Sequence, residues 1–350
     1  MVILQIEPAT GFSGGVNQMI LNSVELKRRG HTVYVACVRN SVVHERLKDV
    51  VDRFLFVDEE RTLYSARLIR RFLSGSNVDI VHTHHSRGHT MGLLALLGRT
   101  RERLVVQRSV MFPATNPFKY LNPRVNRFVA NSEAVKDVLI RHMVRPGKIS
   151  VIYSAIDPDL LPDDDKETLR RRFGFGNRFV FGVVANYSRY KGQELLLEAF
   201  SRIKTRENAL LVFAGRSTEK LHPLVERAGL KENVRILGFR SDSASVIKAL
   251  DCLVIPSLKE SFPNVAIEAF FMKTPVLGTQ VGGIPELLRD GRGYTAEPSA
   301  KSLSGAMILV YNAPDRDQTA NRAYRFAMEN LTIQRKVDRL EELYTRLLGK

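Results

Sequence analysis

Val2-Ile-Leu-Gln-Ile6, then Gly11-Phe-Ser-Gly-Gly-Val-Asn17, then a helical stretch ending near Arg29-Gly30, set a pattern that the rest of the chain repeats. A short apolar run, a glycine-rich turn and an amphipathic helix make one βα step. A run apolar on both faces reads as a strand covered from both sides, as in a parallel sheet. Working outward, runs of strand length recur at Thr32–Val38, Phe54–Val57, Asp79–His82, Leu104–Gln107, Phe128–Ala130 and Ser150–Tyr153. A second series follows at Phe179–Val184, Leu210–Ala214, Val234–Leu237, Cys252–Ile255 and Pro275–Leu277. Their alternation with helical stretches predicts an α/β protein of two doubly wound domains in tandem.

The periodicity breaks over Ile156–Asp165, where Pro158, Pro162 and three consecutive Asp interrupt it. The expected domains are therefore residues 1–157 and 158–332. Ile333, Val337, Leu340, Leu343 and Leu347 stand at helical spacing. They predict a terminal helix within 333–350 that buries one face, expected to pack back on the N-terminal domain. Met1 to Glu7 is apolar but short and lacks a basic leader, so it reads as a first strand and not as a signal peptide.

With 350 residues, 44% hydrophobic and 26% charged, the chain suffices for two cores and is too apolar for disorder. No stretch approaches the roughly 20 apolar residues of a membrane-spanning helix. Cys37 and Cys252 lie far apart inside apolar runs, as buried thiols of a cytosolic protein would, which excludes a disulfide scaffold and a cysteine zinc site. The net charge of +16 is uneven: residues 1–157 hold 23 basic and 13 acidic side chains, and residues 158–350 hold 30 and 24. The basic first part predicts an anionic partner, either a phosphorylated substrate or an acidic membrane surface. With no Trp, 8% aromatics and no aromatic-basic platform, nucleic acid is not the expected partner.

Five motifs could carry chemistry. In Gly11–Asn17, adjacent Gly14 and Gly15 leave amides unblocked at a helix start, which favours an anion; alternatively the turn needs glycine for positive φ. The loop lacks dinucleotide-fingerprint spacing and a P-loop Lys-Ser/Thr. In Lys259-Glu-Ser-Phe-Pro-Asn-Val-Ala-Ile-Glu-Ala-Phe270, Glu260 follows a strand's C-terminal end, where open α/β sheets place ligands. Glu268 lies on the following helix, whose first amides near Asn264 and Val265 could hold phosphate; both carboxylates could equally be solvated. In Asn186-Tyr-Ser-Arg-Tyr-Lys-Gly192, Arg189 and Lys191 are placed to balance a diphosphate, or form a solvated basic loop. His82-Thr-His-His-Ser-Arg-Gly-His89 gathers four histidines with no carboxylate or cysteine nearby, so strand-end packing or acceptor contact is expected before metal. Val281-Gly-Gly-Ile-Pro-Glu-Leu287 is a second glycine turn opening a helix, a pocket rim or a tight connection.

The order and spacing of these motifs resemble the retaining glycosyltransferases of family 4, whose GT-B fold sets two Rossmann-like domains facing across a cleft. The likeness spans nearly the whole chain. It runs through Gly14-Gly15, Asp79-Ile-Val-His-Thr-His84, Phe128-Val-Ala-Asn-Ser132, Lys148-Ile-Ser-Val-Ile-Tyr-Ser-Ala-Ile-Asp157, Lys191-Gly192, Glu260 to Glu268 and Gly282-Gly-Ile-Pro-Glu286. The His85-Ser-Arg-Gly-His89 and Gln107-Arg-Ser-Val-Met-Phe-Pro113 segments resemble a bacterial subgroup of lipopolysaccharide or cell-surface glycan assembly.

The resemblance implies a metal-independent hexosyltransferase without a cofactor, taking a nucleoside-diphosphate sugar and a glycan or lipid-linked glycan acceptor. It implies a cytoplasmic protein, peripheral at the inner face of the cell membrane. By position, Glu268 holds the ribose hydroxyls and Lys191 neutralises the diphosphate. Glu260 and the amides of Ser261, Phe262, Pro263, Asn264 and Val265 grip sugar and phosphates, with Gly192 and Asn186 beside them (Pro263 lacks an amide hydrogen and offers only shape). Gly14 and Gly15 approach the diphosphate from the first domain, and His84, His85, Arg87 and Arg108 stand on the acceptor side. Lys191, Arg189 and Glu260 are the expected catalytic groups. Two positions depart from the family pattern: Asn186 and Arg108 stand where many members carry Arg and His. An epimerase of the same fold, or a non-catalytic nucleotide-sugar-binding scaffold, is the alternative.

Overall fold

The computed structural model describes residues 1–112, 116–203 and 207–349. The chain divides into two compact units, Met1–Ile156 with Thr332–Lys350, and Asp157–Leu331.

In the first unit the strands are β1 (Val2–Glu7), β2 (Thr32–Cys37), β3 (Arg53–Phe56), β4 (Ile80–Thr83), β5 (Arg103–Arg108), β6 (Val125–Ala130) and β7 (Ile149–Val151). They form one parallel sheet in the order β3-β2-β1-β4-β5-β6-β7. Strand alternation sends Ile3 to one face and Leu4 and Ile6 to the other. Leu4 and Ile6 pack with Ile69, Met91 and Leu139, from the helices Thr62–Ser74, Ser86–Ala95 and Glu133–Arg141. Ile3 packs with Val16 and Met19 of the helix Gly14–Arg28 and with Val337 and Leu340 of the helix Ile333–Leu347.

That terminal helix is part of the first unit's core. Thr332 caps it by accepting from the Arg335 amide at 3.3 Å, and the Ile333 amide donates to the Ile156 carbonyl at 2.8 Å. At its outer side Arg29 bridges Asp338 and Glu341, at 2.7 and 2.5 Å.

In the second unit β8 (Phe179–Val184), β9 (Ala209–Ala214), β10 (Val234–Gly238), β11 (Cys252–Ile255), β12 (Val276–Thr279) and β13 (Tyr294–Ala296) form a parallel sheet in the order β10-β9-β8-β11-β12-β13. Phe181, Phe200, Leu303 and Met307 belong to its core.

Both sheets reverse strand order beside their first strand, between β1 and β4 and between β8 and β11. In each, an aspartate just before the fourth strand satisfies an amide of the first: Asp79 accepts from Val2 and Asp251 from Val180, both at 2.8 Å. This moves the start of β4 to Ile80, one residue later than the apolar run suggests. The edge strand β13 has no counterpart among the expected runs: three residues between Gly293 and Glu297 are too few to show a period.

Candidate functional site

At a strand-order reversal the loops leaving two adjacent strands run to opposite sides and open a crevice at the sheet's C-terminal edge. In the second unit those loops are Ala185–Gly192 after β8 and Pro256–Pro263 after β11. Their contact depends on glycine. Gly192 has φ +67°, and a Cβ there would lie 1.9 Å from the Pro256 carbonyl oxygen. The Leu258 amide donates to the Tyr190 carbonyl at 2.7 Å beside it. From β12, Gly282 (φ +56°) approaches so closely that a Cβ would sit 1.7 Å from the Glu260 carbonyl oxygen, and the Gly283 amide donates to that oxygen at 3.2 Å. The Gly282-Gly283 turn thus shapes this rim.

Held this way, Lys191 Nζ lies 2.6 Å from Glu260 Oε2, joining the two sides of the reversal. Glu260 Oε1 accepts from the Ser261 amide at 3.2 Å, and the Ser257 hydroxyl reaches Oε2 at 3.5 Å. The glutamate side chain is 11% exposed and the lysine 38%, so the pair is open on the lysine side. Arg189 is exposed and has no ion pair among the described residues; the structure does not bring it to Glu260.

The helix Asn264–Phe271 begins directly after this loop. The Phe262 ring is buried, so only its backbone is available to a ligand, and Pro263 is buried as well. Ser261, Asn264 and Val265 are half-buried at the helix start. One helical turn further, the Glu268 carboxylate has no hydrogen-bond or ion-pair partner among the described residues, and burial raises it from 4.5 to about 7. The residue is half-buried, so a carboxylate short of protein donors is left for donors that a ligand brings.

Asn186 is exposed, and its Oδ1 accepts from the Arg216 amide at 2.9 Å, while the Tyr187 amide donates to the Arg216 carbonyl at 2.9 Å. The loop after β9 is thereby tied to the loop after β8, and Arg216 arrives beside the position where the family pattern often has arginine. Its guanidinium lies 4.4 Å from the Phe239 ring centroid. The signal for Arg216 was its place just past the end of β9, an edge position that no motif marks.

In the first unit the helix Gly14–Arg28 is capped by Ser13, whose Oγ accepts from the Val16 amide at 3.2 Å. Neither Gly14 nor Gly15 has positive φ, and a Cβ on Gly15 would meet nothing closer than the Ser13 Oγ at 3.9 Å. The alternative that this turn needs glycine for positive φ is thus overturned; the fold leaves open space there.

The histidine run separates by strand alternation and helix entry. His82 is fully buried and its Nδ1 lies 2.6 Å from the Tyr344 hydroxyl; burial, helped by the Lys336 charge, lowers it to about 3. His84 Nε2 meets Gln5 Oε1 at 2.5 Å, and burial holds it well below its ordinary value. Both are neutral, knitted to β1 and the terminal helix. His85 caps the helix Ser86–Ala95, accepting from the Arg87 amide at 3.3 Å, and Arg87 pairs with Glu59 at 2.8 Å. Among the described residues no three His, Cys, Asp or Glu side chains gather as a metal site. Arg108, at the end of β5, is buried and donates to the Tyr120 hydroxyl and the Phe112 carbonyl.

Three charged groups in this unit escaped the motif reading. Glu7 ends β1 at the reversal, accepts from the Ala9 amide at 3.0 Å and is raised by burial to about 7. Lys336 is buried with Nζ 2.7 Å from Gln18 Oε1 and is lowered by burial to about 7. Lys119 donates to the Ser86 carbonyl and, at 3.0 Å, to its hydroxyl. The first two sit in amphipathic patterns that look like ordinary strand and helix, and the third follows a proline in a loop. Among the described residues no helix is long and apolar enough to cross a membrane.

Comparison with known proteins adds the following. Residues 13–160 match the family model for Glycosyltransferase Family 4, and residues 165–326 match that for Glycosyl transferases group 1. The chain is 24% identical to the N-acetyl-alpha-D-glucosaminyl L-malate synthase of Bacillus anthracis, over 97% of this chain and 95% of that protein. It is 24% identical to the D-inositol 3-phosphate glycosyltransferase of Mycobacterium marinum, over 98% and 83% respectively. The crystal structure of Anabaena HepE in complex with UDP superposes with a TM-score of 0.87 at 21% identity, covering 99% of this chain and all of that one. The two domain matches, on the two parallel-sheet units of a GT-B fold, make the chain a glycosyltransferase of the family 4 type.

Proposed function

We propose that the chain is a retaining glycosyltransferase that moves a sugar from a nucleoside-diphosphate donor, with uracil as base, to an acceptor hydroxyl without a metal ion. Residues 158–332 take the donor and residues 1–157 the acceptor, with the segment 333–350 completing the acceptor-side domain. The observation that carries the reading is the partnerless Glu268 carboxylate one helical turn beyond the Lys191–Glu260 pair. Paired ribose hydroxyls supply the donors that Glu268 lacks. The barrier is departure of the diphosphate from a sugar that becomes oxocarbenium-like. Lys191 exchanges its Glu260 partner for the phosphate oxygens, and Glu260, released, accepts from a sugar hydroxyl. Arg189, Arg216 and the amides at the start of the helix Asn264–Phe271 share the growing negative charge. Gly15, where a Cβ would meet nothing closer than the Ser13 Oγ at 3.9 Å, keeps its backbone accessible to an anion.

The UDP complex of the Anabaena structure supports uracil as base. The lipid-linked or cell-surface glycan acceptor implied by the histidine segment, and a peripheral place on the cytoplasmic membrane face, belong to this proposal too, supported by the basic first part of the chain. The malate and inositol phosphate named for the relatives supply a competing acceptor class, small and anionic.

A thermal-shift panel of UDP, GDP and ADP tests the reading. One nucleotide, UDP, is expected to raise the melting temperature through mass action. Glu268→Ala should abolish that shift; an unchanged nucleotide affinity in this variant overturns the proposal.

A further inference from the structure

The first unit brings together two cations, Arg108 buried and Lys119 half-buried, with no carboxylate partner for either among the described residues. Arg108 ends β5, and Lys119 lies in the single turn Pro117–Tyr120 that follows the loop after it. The Tyr120 ring brings them close: the Arg108 guanidinium carbon is 5.2 Å and Lys119 Nζ 6.0 Å from its centroid. Arg108 donates to the Tyr120 hydroxyl and the Phe112 carbonyl, and Lys119 to the carbonyl and hydroxyl of Ser86, all of them neutral acceptors. Neither has a carboxylate partner among the described residues. The acidic side chain that acts on this corner, Glu59, is already held by Arg87 at 2.8 Å.

Arg108 is only 8% exposed, and its Nε is a buried donor with no partner among the described residues. His89 Nε2, on the ring edge-on to Tyr120, is likewise buried and unpartnered. Burial and the neighbouring Arg108 charge lower the Lys119 ammonium to about 8. A buried arginine held beside a half-buried lysine, with buried donors that lack partners among the described residues, is costly by itself and becomes favourable when an anion enters. The cluster also lies at the C-terminal ends of β4 and β5, the edge of a parallel sheet where ligands sit.

We propose that Arg108, Lys119 and the turn His85–Ser86 form an oxyanion subsite, taking a phosphate or carboxylate group carried by the acceptor. Assigning that group to the acceptor rests on the transferase reading above; the anion site itself does not. The subsite would make a phosphorylated or carboxylated acceptor a far better substrate than its neutral analogue, because a charge-assisted pair with arginine and lysine is lost with the anion. It also gives the excess basic charge of residues 1–157 a defined point of use.

The test is a calorimetric titration with inorganic phosphate on the full chain held at saturating UDP, comparing the native protein with Lys119→Gln and Arg108→Gln. Saturable phosphate binding is expected, weakened about tenfold or more in each variant, while UDP affinity is unchanged. Should Arg108→Gln fail to fold, the half-buried Lys119→Gln carries the test alone. Phosphate binding that is absent, or that persists unchanged in both variants, overturns the subsite. Sedimentation with phosphatidylcholine vesicles, with and without phosphatidylglycerol, separates the source of the anion. Loss of vesicle binding in the variants with phosphate binding intact would assign the cluster to a membrane surface and overturn the acceptor assignment. Phosphate binding that depends on Lys119 in a protein that binds no UDP would remove the donor reading and leave the subsite standing.

Discussion

Lys191 and Glu260 are 69 positions apart and meet at 2.6 Å across the reversal of strand order in the second unit. The contact pairs with a carboxylate the lysine that, in the proposed reaction, receives the leaving diphosphate. Its consequence is a group kept in position by a partner that a stronger anion displaces.

Replacing Lys191 by Met should lower kcat by about 10²–10³, the cost of removing one group that stabilises developing negative charge. Lys191→Arg should recover part of this. Because the pair is partly exposed, stability should change by less than about 1 kcal/mol in either variant. Steady-state kinetics beside urea denaturation would check both; a Met variant of normal kcat would remove the lysine from the chemistry.

Glu268 titrates near 7 in the ligand-free fold against an ordinary 4.5, because burial penalises its ionised form. Donor affinity should therefore rise with pH through about 7, as the carboxylate that accepts the ribose hydroxyls forms, and this rise should flatten in Glu268→Gln. Stability runs the other way. The native state holds the proton more tightly, so the contribution is complete below 4.5 and is lost as pH climbs through about 7. That amounts to about 1.4 kcal/mol per pH unit inside the window for this one group. Denaturation curves at pH 4.5 and 8 for native protein and Glu268→Gln measure it.

Gly192→Ala and Gly282→Ala should each destabilise the second unit by several kcal/mol, since the added carbon would meet a neighbouring carbonyl oxygen at 1.9 or 1.7 Å in a left-handed backbone. Gly15→Ala, in open space, should leave stability within about 0.5 kcal/mol. Thermal unfolding would show the contrast; equal melting temperatures for all three would contradict the loop geometry.

Lys336 is lowered by burial from 10.5 to about 7. The unfolded chain binds its proton more tightly, so above about 7 the fold gains stability with rising pH until the unfolded lysine also loses its proton near 10.5. Lys336→Met should remove this slope and raise stability at neutral pH, the apolar side chain replacing a buried ammonium that, among the described residues, bonds only Gln18. Denaturant midpoints between pH 6 and 9 would test it.

The fold was legible because parallel strands are apolar on both sides, so runs such as Val2–Ile6 and Phe179–Val184 stand out from the amphipathic helices around them. The meeting of Lys191 with Glu260 was legible for a different reason: both lie on loops just past strand ends, and those loops carry glycine and proline at fixed offsets, with Glu268 a turn into the helix that follows. What stayed hidden depended on distant partners. Nothing near His82 foretells Tyr344, which bonds it from 262 residues away. Nothing near Asn186 foretells that its side chain would fasten the Arg216 loop. Lys119 looks like any surface lysine until Arg108 is folded against the same ring. The Gly14-Gly15 turn misled in the opposite sense, since adjacent glycines usually announce a left-handed backbone and here adopt an ordinary one.

The helix Ile333–Leu347 supplies Ile333, Val337, Leu340, Leu343 and Tyr344 to a hydrophobic layer whose other buried members lie before residue 157. During synthesis, that layer stays incomplete until Ile333–Leu347 has left the ribosome, whereas Asp157–Leu331 has its whole core in hand earlier. The unit begun earlier is thus finished after the other, and a message interrupted before the codon for Ile333 would yield a chain with one sound domain and one open to proteolysis.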